Sequence, residues 1–135
     1  MKQQNILCPV DFSGSSEPAV DLAARLAVAE KSKIWLLHIV ESNEPAVSMD
    51  EASLRNFSTQ IEDQYLSQQN IDYEHVTLHG KPAEKIVEFA KKRSIDLIFM
   101  GTHGRTGLAR VVVGSVAQNV MANASCPVVT VKSPA

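Results

Sequence analysis

The sequence predicts an α/β fold, an open parallel five-stranded sheet with helices on both faces. Three observations predict it. Short, nearly continuous apolar runs alternate with segments of helical periodicity, in the order β-α-β-α-β-α-β-α-β. The apolar runs are rich in Val, Ile and Leu, as strands covered on both faces are. No repeat and no long linker interrupts the alternation, so the 135 residues, 1–135, read as one domain with right-handed crossovers.

Each element has its own signal. Ile6-Leu-Cys-Pro-Val10 is a buried strand ending at the polar Asp11. Pro9 lacks a donor, so the ladder is expected to break near that strand's end. Phe12 to Ser16 is a turn rich in helix caps, and Pro18 suits a first helical turn. Ala19, Leu22, Ala23, Leu26 and Ala27 then form one apolar stripe, whose alanines allow close approach to a sheet. Ile34 to Val40 is a second strand; its His38 reads either as a hydrogen-bonded core histidine or as a ligand. Glu41 to Val47, with Pro45, is a loop. Leu54, Phe57, Ile61 and Tyr65 place an amphipathic helix from about Met49 to Gln69.

Asp72 to Leu78 alternates, the pattern of an edge strand with one wet face. His75 and His79 belong to no metal-ligand spacing and read as exposed. Gly80-Lys-Pro82 opens a third helix with Ala83, Ile86, Val87 and Ala90 on its buried side. Leu97 to Met100 is the fourth strand. Val116, Val120, Met121 and Ala124 mark the last helix, and Pro127 to Val131 the fifth strand.

Composition excludes several function classes. A formal net charge of −2 argues against a nucleic-acid or membrane-surface role, and Lys81, Lys85, Lys91, Lys92 and Arg93 read as one solvated face. Cys8 and Cys126 have neither zinc-site nor redox-pair spacing, so they read as free buried thiols of a reducing compartment. No secretory signal and no membrane-length apolar run is found, and a cytoplasmic location is expected.

The chemistry concentrates between Met100 and Ser115. Gly101, Gly104 and Gly107 follow the fourth strand, and Gly114 stands directly before Ser115 and a helical pattern. Glycine admits φ > 0 and close ligand approach, and a helix start offers free N–H groups to an anion. The spacing Gly101-x2-Gly104-x9-Gly114-Ser115 is neither a P-loop nor a GxGxxG turn. By spacing alone it is either a phosphate cradle or a set of structural turns and caps. Ligands in such sheets sit beyond the carboxyl ends of strands where the order reverses, which is where strands 1 and 4 would adjoin.

Four pieces carry a resemblance across essentially the whole chain. They are Ile6-Leu-Cys-Pro-Val-Asp-Phe-Ser13, Leu36-Leu-His-Ile39, Gly80-Lys-Pro82, and the glycine loop closing with Pro127-Val-Val-Thr-Val131. The sequence resembles the universal stress protein family, and its loop resembles that of the ATP-binding branch. The resemblance implies a Rossmann-like sheet of the adenine nucleotide alpha hydrolase type, strand order 3-2-1-4-5. It implies that Pro9, Val10 and Asp11 meet the adenosine moiety and that Ile39 packs on the base. Met100, Gly101, Thr102, His103, Gly104, Arg105 and Thr106 would wrap the ribose and phosphates, and Gly114, Ser115 and Val116 would present the helix start to the terminal phosphates. Asp11 and Ser115 read equally as caps, and Arg105 as a solvent-facing loop residue. Ala117 departs from members that carry a threonine there.

The implied ligand is ATP, or ADP or AMP, with Mg²⁺ or Mn²⁺ bound through the phosphates. The implied partner is a second copy of the chain, paired through Pro127 to Val131 into a homodimer; neither nucleic acid nor membrane is expected. No general base is evident beside the loop, with His103 the one candidate, so at most weak ATP hydrolysis is expected. Two alternatives stand beside this binding protein: a slow ATPase or nucleotide-transfer enzyme, and a dimerisation module whose glycine loop is structural.

Overall fold

The computed structural model describes residues 2–11, 16–41, 59–102 and 114–132. The apolar runs become five strands, β1 (Asn5–Val10), β2 (Lys33–Val40), β3 (Asp72–His79), β4 (Leu97–Gly101) and β5 (Val128–Val131). All pair in parallel, in the order β3-β2-β1-β4-β5. Three helices are described in full: α1 (Glu17–Glu30), α2 (Pro82–Lys92) and α3 (Ser115–Asn123).

Strand side chains alternate between faces, and the sheet accordingly divides two cores. Ile6, Cys8, Val10, Ile34, Leu36 and Phe99 pack beneath α1 with Ile61 and Leu66. Leu7, Trp35, Leu37, Ile98 and Met100 pack beneath α2 and α3. β3 occupies one edge; its alternation of burial slips at Glu74 and His75, so that Tyr73 packs on one face and Val76 and Leu78 on the other, and His75 and His79 are exposed.

The helices sit differently from their expected stripes. In α1 the buried set is Ala19, Val20, Ala23, Ala24 and Ala27, whereas Leu22 is 41% exposed. The helix is turned toward Val20 and Ala24, which carries Leu22, on the opposite flank of Ala23, out to solvent. In α2, Phe89 joins Ile86 and Ala90 in the core. In α3, Ala117 and Val120 are buried and Met121 is exposed.

The helix expected from Met49 lies in its first half, with Leu54 and Phe57, outside the described residues. So do the cap-rich turn from Phe12 to Ser15 and most of the Glu41–Val47 loop. Residues 59–61 are α-helical and run into a π-turn, Glu62–Leu66, and a 3₁₀ turn, Ser67–Gln69. A π-turn adds a residue to the repeat. Leu66, five after Ile61, therefore fills the core position, and Tyr65 is left half-buried against it.

Pro9 acts as expected toward β4. β1 pairs with β2 as far as Val10–His38, but with β4 only through Ile6–Leu97 and Leu7–Ile98. The ladder toward β4 stops before the residue that has no N–H to give.

The amino ends of the strands are tied by a polar and aromatic cluster. Asn5 N–H donates to Asp96 Oδ2 at 2.8 Å, and Asp96 N–H returns a bond to the Asn5 carbonyl at 2.8 Å. Trp35 Nε1 donates to Asn5 Oδ1 at 3.2 Å, and its ring meets Phe89 edge-on at 5.7 Å. Lys33 Nζ and the Arg93 guanidinium lie 4.2 Å and 5.1 Å from the indole. Arg93 is thus more than part of a solvated basic face.

α1 ends at Lys31 in the left-handed conformation, φ 55° and ψ 43°, its N–H bonded to the Ala27 carbonyl. A Cβ is unfavourable there. Lys31→Gly is expected to stabilise the fold by about 0.5–1 kcal/mol, net of the entropy glycine adds to the unfolded chain. A urea midpoint no higher than wild type would contradict this.

Candidate functional site

The β1–β4 ladder ends early, beside the crevice that open parallel sheets leave past the carboxyl ends of strands where the order reverses, here between β1 and β4. The alternation that places Leu7, Leu37, Ile98 and Met100 on the α2/α3 face continues to Ile39, which is half-buried and packs on that core with Val116. By the same alternation Pro9 belongs to that face. Val10 belongs to the other, in the core beneath α1. What Val10 can offer a ligand on the α2/α3 side is therefore backbone rather than side chain.

The Val10 carbonyl is itself engaged, 3.2 Å from His38 Nδ1. A carbonyl only accepts, so Nδ1 carries the proton. His38 is buried; its geometry is that of a core histidine crosslinking β1 and β2. Asp11 follows Val10 and is half-buried.

At the end of β4, Met100 is buried and Gly101 half-buried, and Thr102, just past the strand, is buried. Thr102 has a role the sequence does not announce. Its N–H donates to the Val131 carbonyl at 3.3 Å, and its carbonyl accepts from Gly114 N–H at 2.6 Å. One residue thus ties the end of β4 to β5 and to the start of α3. Backbone-to-backbone bonds across such a sequence separation leave no trace in side-chain pattern, which is why this tie was illegible.

Gly114 is the N-cap of α3, with φ −62° and ψ 159°. The first intrahelical bond at that end runs from Gln118 N–H to the Gly114 carbonyl at 3.0 Å. The N–H groups of Ser115, Val116 and Ala117 precede it, at the positive end of the helix dipole. Gly114 N–H, given to Thr102, closes the loop. The donors the cap can direct at an anion are the next three. His103, Gly104, Arg105 and Thr106 lie outside the described residues.

A groove of about 280 Å³ is found elsewhere, between α1 and the 59–69 segment, lined by Asp21, Arg25, Val28 and Tyr65 among others. It holds none of the expected site residues and lies on the opposite face of the sheet. Among the described residues no three His, Cys, Asp or Glu side chains are grouped to hold a metal ion, and no helix is long and apolar enough to cross a membrane.

Cys8 is buried and Cys126 half-buried, both free. Burial pushes the Cys8 thiol far above its ordinary value. Cys126 is raised too, by partial burial and then by the charge of Asp96. Since the thiolate is the reactive form, a thiol reagent is expected to label Cys126 in the native protein and Cys8 only on unfolding. Equal native labelling, read by mass spectrometry, would contradict the burial.

Residues 3–132 match the family model for the universal stress protein family. The chain belongs to that family. Universal stress protein MJ0531 of Methanocaldococcus jannaschii is 34% identical, over 97% of this chain and 83% of its own length. The solved structure of MJ0577, whose biochemical function was assigned from structure, superposes with a TM-score of 0.79 at 29% identity, covering 100% of this chain and 99% of that one. A universal stress protein solved in complex with cAMP superposes with a TM-score of 0.77 at 25% identity, covering 98% of each chain. The sheet order described above is that of these family neighbours.

Proposed function

We propose that this family member binds an adenine nucleotide, ATP or alternatively ADP or AMP, and works in stress-response regulation by binding rather than by turnover. The observation that carries this is the start of α3. The N–H groups of Ser115, Val116 and Ala117 stand ahead of its first internal bond, beside the crevice that opens past Leu7 and Ile98. The relative solved with cAMP supports an adenine ligand on this fold.

In this reading Ile39 packs on the base and Pro9, Asp11 and the Val10 backbone flank the adenosine. A carboxylate such as Asp11 accepts from a ribose hydroxyl or an amino group. Met100, Gly101 and Thr102 border the ribose, and His103, Gly104, Arg105 and Thr106 continue the wrap. Mg²⁺ or Mn²⁺ enters on the phosphates. Regulation then requires that nucleotide favour one state of the protein over another.

A second copy is the proposed partner. Val128, Val129 and Val131 are half-buried on β5 at the open edge of the sheet, an apolar strand with one side left to pair. A monomer by light scattering at every working concentration would sink the dimer. The cytoplasm is the proposed location.

Thermal shift with ATP and Mg²⁺ tests the binding. Ligand at a hundred times its Kd adds about 2.7 kcal/mol to the folded state, a rise of several degrees. No shift at millimolar nucleotide would remove the proposal, and release of labelled phosphate in a single-turnover assay would favour a hydrolase.

A further inference from the structure

With the phosphate end of a nucleotide at α3, its ring end has to find apolar surface across the crevice. Ile39 and Leu78 are register partners on β2 and β3, both half-buried and both packed on the α2/α3 core. Ala83, in the first turn of α2, packs on that core as well. The turn between β3 and α2 is fixed from two directions. Gly80 N–H donates to the Val40 carbonyl at 3.0 Å, fastening the turn to the end of β2 beside Ile39. Gly80 adopts φ 141°, and a Cβ there would come within 2.7 Å of Lys85 Cε, so the Lys85 chain lies across the glycine. The backbone angle selects glycine, whereas the end of the flexible Lys85 chain could move aside for a Cβ. Lys81 then runs extended into Pro82, which starts the helix and sets where Ala83 falls.

Resting on the nucleotide reading, we propose that Leu78, beside Ile39 on the next strand, and Ala83 continue the apolar wall of the base slot, and that Ala83 sets the size of ring the slot accepts. A planar heteroaromatic ring is held by apolar walls with few polar contacts. Ala83, the smallest of the three, leaves the width. A wall built on a sheet edge and a capped turn, each tied to β2, keeps that width constant.

The test is titration calorimetry of wild type, Ala83→Leu and Leu78→Ala with ATP, adenosine and inorganic tripolyphosphate. Ala83→Leu is expected to lower ATP and adenosine affinity by about tenfold or more, the scale on which an apolar pocket registers a few added carbons. Tripolyphosphate affinity should stay at the wild-type value. Leu78→Ala, on the half-wet edge strand, should weaken both adenosine ligands and spare tripolyphosphate. Wild-type adenosine affinity in Ala83→Leu would overturn the slot while leaving nucleotide binding intact. So would parallel loss of tripolyphosphate, which would mean general damage. Should Ala83→Leu fail to fold, Leu78→Ala decides by the same comparison. Wild-type protein that binds neither ATP nor adenosine would end the nucleotide reading itself, and the slot with it.

Discussion

Ser115→Pro is expected to leave the fold standing and to weaken ATP binding by about 1.5–3 kcal/mol, ~10- to 100-fold in Kd. Proline is at home in the first position of a helix, where the backbone N–H has no internal partner. Gly114, with φ −62° and ψ 159°, already has the extended conformation a following proline demands. The substitution therefore deletes one N–H and one hydroxyl and little else. If these donors meet phosphate, adenosine should bind the variant as it binds wild type while ATP loses its advantage. Equal ATP affinity in the two proteins, by titration calorimetry, would show that position 115 gives nothing to the ligand. A collapsed melting temperature would show instead that the start of α3 depends on the serine.

The second large effect lies at the other end of the sheet. Trp35→Ala is expected to cost about 3–5 kcal/mol, the range for emptying a buried aromatic site. The indole is 7% exposed, meets Phe89 edge-on and carries Lys33 and Arg93 against its faces. Trp35→Phe keeps the apolar body but leaves Asn5 Oδ1 without its indole donor, and about 1–2 kcal/mol is expected for that. Urea denaturation followed by circular dichroism reads both variants. A Trp35→Ala loss under 1 kcal/mol would mean that the core closes over the space. Nucleotide affinity should be indifferent to Trp35→Phe, because the indole sits at the amino ends of the strands.

The strands were the most legible features, because a strand covered on both faces has to be apolar throughout; their order in the sheet was implied only by the family resemblance. Ile34 to Val40 admits little else. Pro9 also spoke clearly, since a missing donor has one consequence in a ladder. Helix faces were less legible. Alanine-rich α1 has apolar residues on more than one flank, and the choice between Leu22 and Val20 is made by how the helix settles on β1 and β4. Met121 fails for the same reason. The π-turn at Glu62–Leu66 hid Leu66, because a stripe drawn at three and four residues cannot foresee a step of five. At the site, residue types pointed correctly to a helix start at Gly114 and Ser115, but the cap is Gly114 rather than Ser115, which makes no side-chain cap bond, and nothing in the pattern told which N–H groups the fold consumes. That division depends on Thr102, whose contribution is made by its peptide groups. Leu78 and Ala83 were read as edge and core, and Gly80-Lys-Pro82 was the signal that their turn is rigidly specified.

The clasp between Thr102 and Gly114 has a consequence for how such a domain diversifies. Thr102 and Gly114, which bracket residues 103–113 in the chain, are joined directly by a backbone hydrogen bond, so the end of β4 and the start of α3 hold one another in place. Doubling the length of chain between them would add only about 0.6 kcal/mol of closure entropy. The junction works as a socket. A lineage can exchange the sequence between these two residues while the framework stays in register.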